Sequence, residues 1–306
     1  MTGAGSAELL FAHEETFMGS LVDSDSSGDP ELYAPGRNES LDELNLKRQL
    51  QRMREAGAVE SVESIAQNLE GAVSISATVS SDVHAEVEQI VFNDGGSGFV
   101  HGRPNTAAIF AGVDYLDGTV NRKLSGCIPL SYELTYEQGG MVTYSLALAY
   151  ADEETDVTIP TTEVTRVSND TSAPFHEFGL TIDAGSIPKL QSATLTIDNI
   201  ARFQRGPSHT PVDAVIAAPE TTLDVEAIIT GPSTTELAYG SSSATTTQAS
   251  MDSVSGSVDV AANGTTVSTY SLPQLKPDNV AWNQVVETDD TTESYTMHVN
   301  GGVSVA

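Results

Sequence analysis

The sequence is poor in cysteine, lysine, aromatics and long apolar runs. Cys127 is its one cysteine, which excludes a disulfide framework and a cysteine-ligated zinc site. No apolar run approaches the ~18 residues a membrane helix needs. Only 13 Lys and Arg stand against 43 Asp and Glu, a formal net charge of −30 over 306 residues. That balance excludes a basic nucleic-acid-binding surface and attraction to an anionic membrane. The opening MTGAGSAELLFAHEE has no basic region followed by a sustained apolar core, so the expectation is a chain made in the cytoplasm and not exported.

Catalytic patterns are missing as well. The histidines His13, His84, His101, His176, His209 and His298 form no H-E-x-x-H pair and no i, i+4 pair. Asp23, Asp25, Ser27, Gly28 and Asp29 imitate the front of a calcium loop, but its twelfth position is Ala34, where a bidentate acid is needed. There is no G-x-S-x-G elbow, no Walker lysine and no G-x-G-x-x-G after a strand. The sequence thus offers no catalytic residue, no cofactor site and no metal site, and the expectation is a protein that is not an enzyme.

What is present is acid and β pattern. Two physical readings of the acid stay open. Carboxylates keep a surface hydrated in molar salt, where the Debye length is ~3 Å and they repel one another weakly. They also keep a surface from sticking to a polyanion. Disorder is disfavoured by a hydrophobic content of 39% arranged in regular alternation.

Along the chain, residues 1–70 read as an N-terminal arm. Within it, LDELNLKRQLQRMREAG (41–57) carries Lys47, Arg48, Arg52 and Arg54, four of the thirteen cations. Leu41, Leu44, Leu46 and Leu50 favour a short helix slightly over an extended arm. From Gly71 the pattern is β. GAVSISATVS alternates, LSYELTY runs into a Gly-Gly hairpin and MVTYSLALAYA, and FGLTIDA, SATLTID, TTLDVEAIIT and the segment 250–275 follow. Two loops, 93–108 and 239–250, are rich in small residues. Gly126-Cys127-Ile128-Pro129 and Gly185-Ser186-Ile187-Pro188 both precede alternating strands, a faint echo of a duplicated module. The expected domains are the arm, a first β module over 71–160 and a second over 161–306.

Four stretches taken together carry a resemblance. They are LKRQLQRMREAGAVESVESIAQNLEGAVSISATV (46–79), GCIPLSYELTYEQGGMVTYSLALAYADE (126–153), IPKLQSATLTIDNIARFQRGPSHTPVDAVIAAPETTLDVEAIIT (187–230) and LPQLKPDNVAWNQVVETDDTTESYTMHVNGGVSV (272–305). Their order and spacing resemble the major tail tube proteins of long-tailed viruses, and the acidity adds a halophilic (haloarchaeal) host.

The resemblance implies a mainly β fold, packed β-sheets forming part of a ring barrel, with a long N-terminal arm and few helices. It also implies a virion tail location and stacked rings conducting viral DNA through an acid-rich lumen without specific binding. The rings would be hexameric, or trimeric and pseudo-hexameric if the module is duplicated. A tape-measure protein and tail end-cap proteins would be partners. Candidate inter-subunit contacts are Lys47, Arg48, Arg52, Arg54, Phe99, His101 and Arg103. Residues 1–60 and the loop 93–106 are expected to be poorly fixed in a monomer and ordered on assembly. The alternative is an acidic β-sandwich binding module, such as a capsid decoration or adhesin domain.

Overall fold

The computed structural model describes residues 7–53, 63–95, 97–115, 117–286 and 290–306. The fold is mainly β. Its first half holds β1 (Ala7–His13), β2 (Leu32–Tyr33), β3 (Arg37–Met53), β4 (Glu63–Thr78), α1 (His84–Val91), β5 (Ala107–Tyr115), β6 (Gly118–Glu137), β7 (Thr143–Tyr150), β8 (Asp152–Thr155) and β9 (Val164–Thr165). The second half holds β10 (Phe178–Ile182), β11 (Gly185–Ser186), β12 (Leu190–Asp198), β13 (Ala201–Gln204), β14 (Asp213–Ile216), β15 (Glu220–Ile228), α2 (Ser233–Tyr239), β16 (Val254–Ala262), β17 (Thr265–Asn283), β18 (Thr292–Asn300) and β19 (Ser304–Val305).

Pairing runs β3-β4-β7-β6-β12-β15-β18-β17, every neighbour antiparallel. Period-two alternation explains why these segments are strands. Val73 and Ile75 in β4, Leu146 and Leu148 in β7, Tyr132 and Leu134 in β6, Leu195 in β12 and Leu223 in β15 are all buried on one face. The core therefore lies to one side of this sheet, and the other side is polar.

The two halves repeat one strand order. If each half's four strands in this sheet are counted along the chain, both lie in the order first, second, fourth, third. In each half a helix follows the second strand. A strand then forms a hairpin with the long third one, β5 with β6 and β16 with β17. A bulge interrupts each third strand at a proline, between Pro129 and Ser131 and between Pro277 and Asn279. The G-x-I-P echo does not mark this repeat: Gly126 lies inside β6 and Gly185 in the two-residue β11. Gly126 is needed where it stands. Its φ is +63, and an added Cβ would come within 2.8 Å of Met18 and 2.9 Å of Ala151.

The arm departs from expectation. Leu41–Met53 is strand, not helix, because β4 supplies long-range partners along it, with Arg48 opposite Leu69 and Leu50 opposite Ala66 and bulges at 43–44 and 49. The spacing of the leucines suits both conformations, and pairing decides between them. The N-terminal segment is likewise fixed. Leu10, Phe11 and Ala12 of β1 are buried, and β1 pairs with β5 along its whole length. Buried Glu14 ties this region down. Its carboxylate accepts the Thr106 hydroxyl at 2.8 Å and the backbone N–H groups of Met18 at 3.0 Å and Gly126 at 2.8 Å.

A buried polar knot joins the halves. His84 Nε2 on α1 lies 3.1 Å from the Tyr132 hydroxyl of β6 and 3.2 Å from the Tyr270 hydroxyl of β17. Tyr270 donates to Glu88 at 2.5 Å. Burial pushes the His84 imidazole down to about 3 and the Glu88 carboxyl up to about 7.

Candidate functional site

The polar side of the long sheet forms one surface. Cross-strand neighbours run from Ser40 to Ser76, Ser145 and Glu133 in the first half. The same row continues through Thr196, Thr222 and His298 to Lys276 in the second. A parallel row passes Thr143, Thr135, Thr194, Asp224, Thr296 and Asn279. Small hydroxyl residues keep relief low, and the strand alternation that buries Leu and Tyr on one side sends them all to the other.

Carboxylates on this face are held by the hydroxyls. Thr296 donates to Asp224, Thr135 to Glu133 at 3.1 Å and Thr292 to Glu226 at 3.2 Å. On β16, Asp259 accepts Thr269 at 2.9 Å and Ser257 at 3.1 Å. In the two rows the only basic side chains are Lys276 and His298, together at the β17 end. The surface can hydrate strongly and repel anions.

Among the described residues, part of each end of the sheet lacks a strand partner: β3 pairs with β4 alone, and the Lys276–Asn283 part of β17 pairs with β18 alone. Unpaired edges are templates for another strand. The β17 end is apolar: Trp282 is 54% exposed, and Val285 and Val286 beside it are exposed as well.

Beyond Asn45, β3 and β4 continue as a two-stranded ribbon whose β3 residues are largely exposed, while Leu69 of β4 is buried and its backbone is held by His209 and Arg205. Leu46, Leu50, Met53 and Ile65 are exposed on it, beside the exposed cations Lys47, Arg48 and Arg52. Lys47 lies 3.9 Å from Glu70. Among the described residues, no acid pairs with Arg48 or Arg52. Arg54 lies outside the described residues. Two-stranded ribbons are marginally stable alone in water, and this one is braced at Leu69 by the 205–209 segment.

Of the other candidate contacts, Arg103 and Phe99 are used within the chain. Arg103 binds Asp213 through Nε at 3.1 Å and Nη2 at 2.7 Å. The Phe99 ring packs on Phe92 with centroids 5.0 Å apart, and His101 is exposed. Their loop is fixed in the single chain, against expectation. The Asn93 side chain donates to the carbonyls of Val100 and Arg103, each at 2.9 Å, and accepts the Val100 N–H. The acidic loop at Asp23 also satisfies itself, with Asp23 and Asp25 accepting backbone N–H groups of Ser27 and Gly28.

Sequence reading missed the β17 edge. Trp282 is the chain's single tryptophan, and a tryptophan beside Val285-Val286 in a hydrophilic, acid-rich chain is the signal that could have found it.

No family model matches the chain, and no curated protein sequence matches it. Among solved structures, the chain is similar to one chain of the cryo-EM structure of the anti-feeding prophage baseplate, 6-fold symmetrised. The match covers 51% of this chain and 96% of that one, at 15% identity and a TM-score of 0.32.

Proposed function

We propose that this protein is a structural virion subunit that polymerises into stacked rings, forming a tail tube through which viral DNA passes. The observation that carries the reading is the long antiparallel sheet with one face of hydroxyls and carboxylates and, among the described residues, no strand on the outer side of β3 or of the Lys276–Asn283 part of β17. An open sheet of this kind is an aggregation hazard in a monomer. In a ring the hazard disappears, because head-to-tail contacts close and leave no edge.

The hydroxyl–carboxylate face lines the lumen in this reading. DNA carries one charge per ~1.7 Å of axis, and a wall that bound it would stall its passage. Glu133, Asp224 and Glu226 repel the phosphates, and the Ser and Thr hydroxyls hold a water layer. The role is structural and not catalytic. The ribbon with Arg48 and Arg52 meets acids of a neighbouring copy, in the same ring or the next. A tape-measure protein and end-cap proteins set the tube's length and close its ends. The acidity suits a virus of a halophilic host, since its carboxylates remain compatible with assembly where salt screens their repulsion.

Electron microscopy of the purified protein in molar salt tests the reading. Tubes or rings with a regular axial repeat are expected. Isolated particles under all conditions would overturn it in favour of an acidic binding module such as a capsid decoration.

A further inference from the structure

The internal repeat says which edges join and in what register. We infer that the free β17 edge of one copy pairs antiparallel with the free β3 edge of a second copy, in the register of the internal β6–β12 junction. The inference rests on the ring reading above and adds the interface to it.

The argument is one of equivalent positions. In the first half β6 has β7 on one side and β12 on the other. Its counterpart β17 has β18 on one side and, from Lys276 onward among the described residues, no strand on the other, with α2 packed against β17. In the second half β12 lies between β15 and β6. Its counterpart β3 has, among the described residues, only β4. The strand directions also agree. The sheet from β3 to β17 holds an even number of antiparallel strands. A second copy turned about a ring axis therefore presents β3 antiparallel to β17.

The bulges at Pro129 and Pro277 set the register. They make Leu134 the counterpart of Trp282, and Thr135 that of Asn283. Leu134 is 1% exposed beside Leu195 of β12, whereas Trp282 is 54% exposed. On the β3 side, Leu44 corresponds to Leu195 and Asp42 to Thr194, through the pairing of each half's second and fourth strands. The register thus sets Trp282 against Leu44 of the next copy, Asn283 against its Asp42, and Ala281 against its Asn45. It also brings Arg48 opposite Asp278, an exposed acid beside the free edge. That charge match and the apolar Trp282 identify the occupant as a second copy of this chain.

Paired cysteines test the register. Directly opposed antiparallel residues have Cα atoms ~4.5–5.5 Å apart, within reach of a disulfide. Two double variants, Asp42→Cys with Asn283→Cys and Asn45→Cys with Ala281→Cys, should cross-link between copies on mild oxidation of assembled protein. Yields at least tenfold above Asp42→Cys with Asn279→Cys, about four residues out of register, are expected. Cross-linking by a single-cysteine variant would overturn the inference in favour of like edges meeting.

Rings or tubes that form without in-register cross-links would overturn the junction and leave the ring reading standing. Absence of any assembly by the unsubstituted protein would overturn both. Should the cysteine variants fail to assemble, Trp282→Asp decides. Assembly lost with an unchanged monomer melting temperature supports the junction, and unimpaired rings refute it.

Discussion

The β6–β12 junction and the free edge of β17 are the same kind of place in two states. At the first, a neighbouring strand covers Tyr132 and Leu134, both essentially inaccessible. At the second, equivalent positions hold Val280 and Trp282, with Trp282 half in solvent. The chain completes one junction with its own strand and leaves the other unfinished. In the proposed ring, a folding contact and an assembly contact share one geometry. They differ in where the partner strand comes from.

The sharpest way to break the comparison is to place a charge at each junction. Leu134→Asp buries a carboxylate in the core and should cost about 4 kcal/mol or more, unfolding the chain at moderate temperature. Trp282→Asp should leave the monomer's melting temperature almost unchanged and abolish rings. Calorimetry and electron microscopy of both variants in the same salt read the difference. Equal destabilisation by the two would show that the free edge is already part of the folded core.

The knot that ties the halves gives the next largest effect. His84 is held neutral well below its ordinary value, so its contribution is present above pH 6.5 and is lost as pH falls toward about 3. Glu88 is raised to about 7, so its contribution is full below pH 4.5 and is lost as pH rises through 7. Between pH 4.5 and 6.5 the two slopes oppose each other. Glu88→Gln removes one of them. Relative to the parent, the variant should lose on the order of 2–3 kcal/mol as pH drops across that window, at ~1.4 kcal/mol per unit. Denaturant midpoints at several pH values measure it, and parallel profiles for parent and variant would refute the coupling.

Charge reversal on the ribbon sharpens the comparison from the side of β3. Arg48→Glu with Arg52→Glu should change monomer stability by no more than ~0.5 kcal/mol, since both side chains are exposed. It should lower the assembled fraction severalfold by sedimentation. An unchanged tube yield would remove these cations from assembly. The smallest effect on stability belongs to the polar face. Asp224→Lys with Glu133→Lys should leave ring formation near normal and slow the passage of DNA through assembled tubes. Transit as fast as in the parent would show that this face is not the lumen.

Much of the fold was legible from alternation. LSYELTY, MVTYSLALAYA, SATLTID and TTLDVEAIIT each bury one face and hydrate the other, and each is a strand in β6, β7, β12 or β15. The ribbon was not legible for a physical reason. With its residues largely exposed, Asn45–Met53 has no apolar side to alternate, and its leucines suit a helix equally well. The N-terminal strand was obscured because LLFA is a short apolar run whose partner, β5, lies about a hundred residues away. Glu133 and Asp224 were visible only as acids among many, without the row that joins them.

By itself the sequence determined the β class, the acid excess, the scarcity of cations and their clustering near residues 47–54. Those follow from composition and from a two-residue period that any strand must show on its own. Only the tertiary structure decided that the two halves share one strand order, that the hydroxyls and carboxylates line up on one face, and that β3 and the Lys276–Asn283 part of β17 have, among the described residues, no strand on their outer side. Strand order is set by contacts between residues far apart in the chain, and no local pattern encodes which edge is left open.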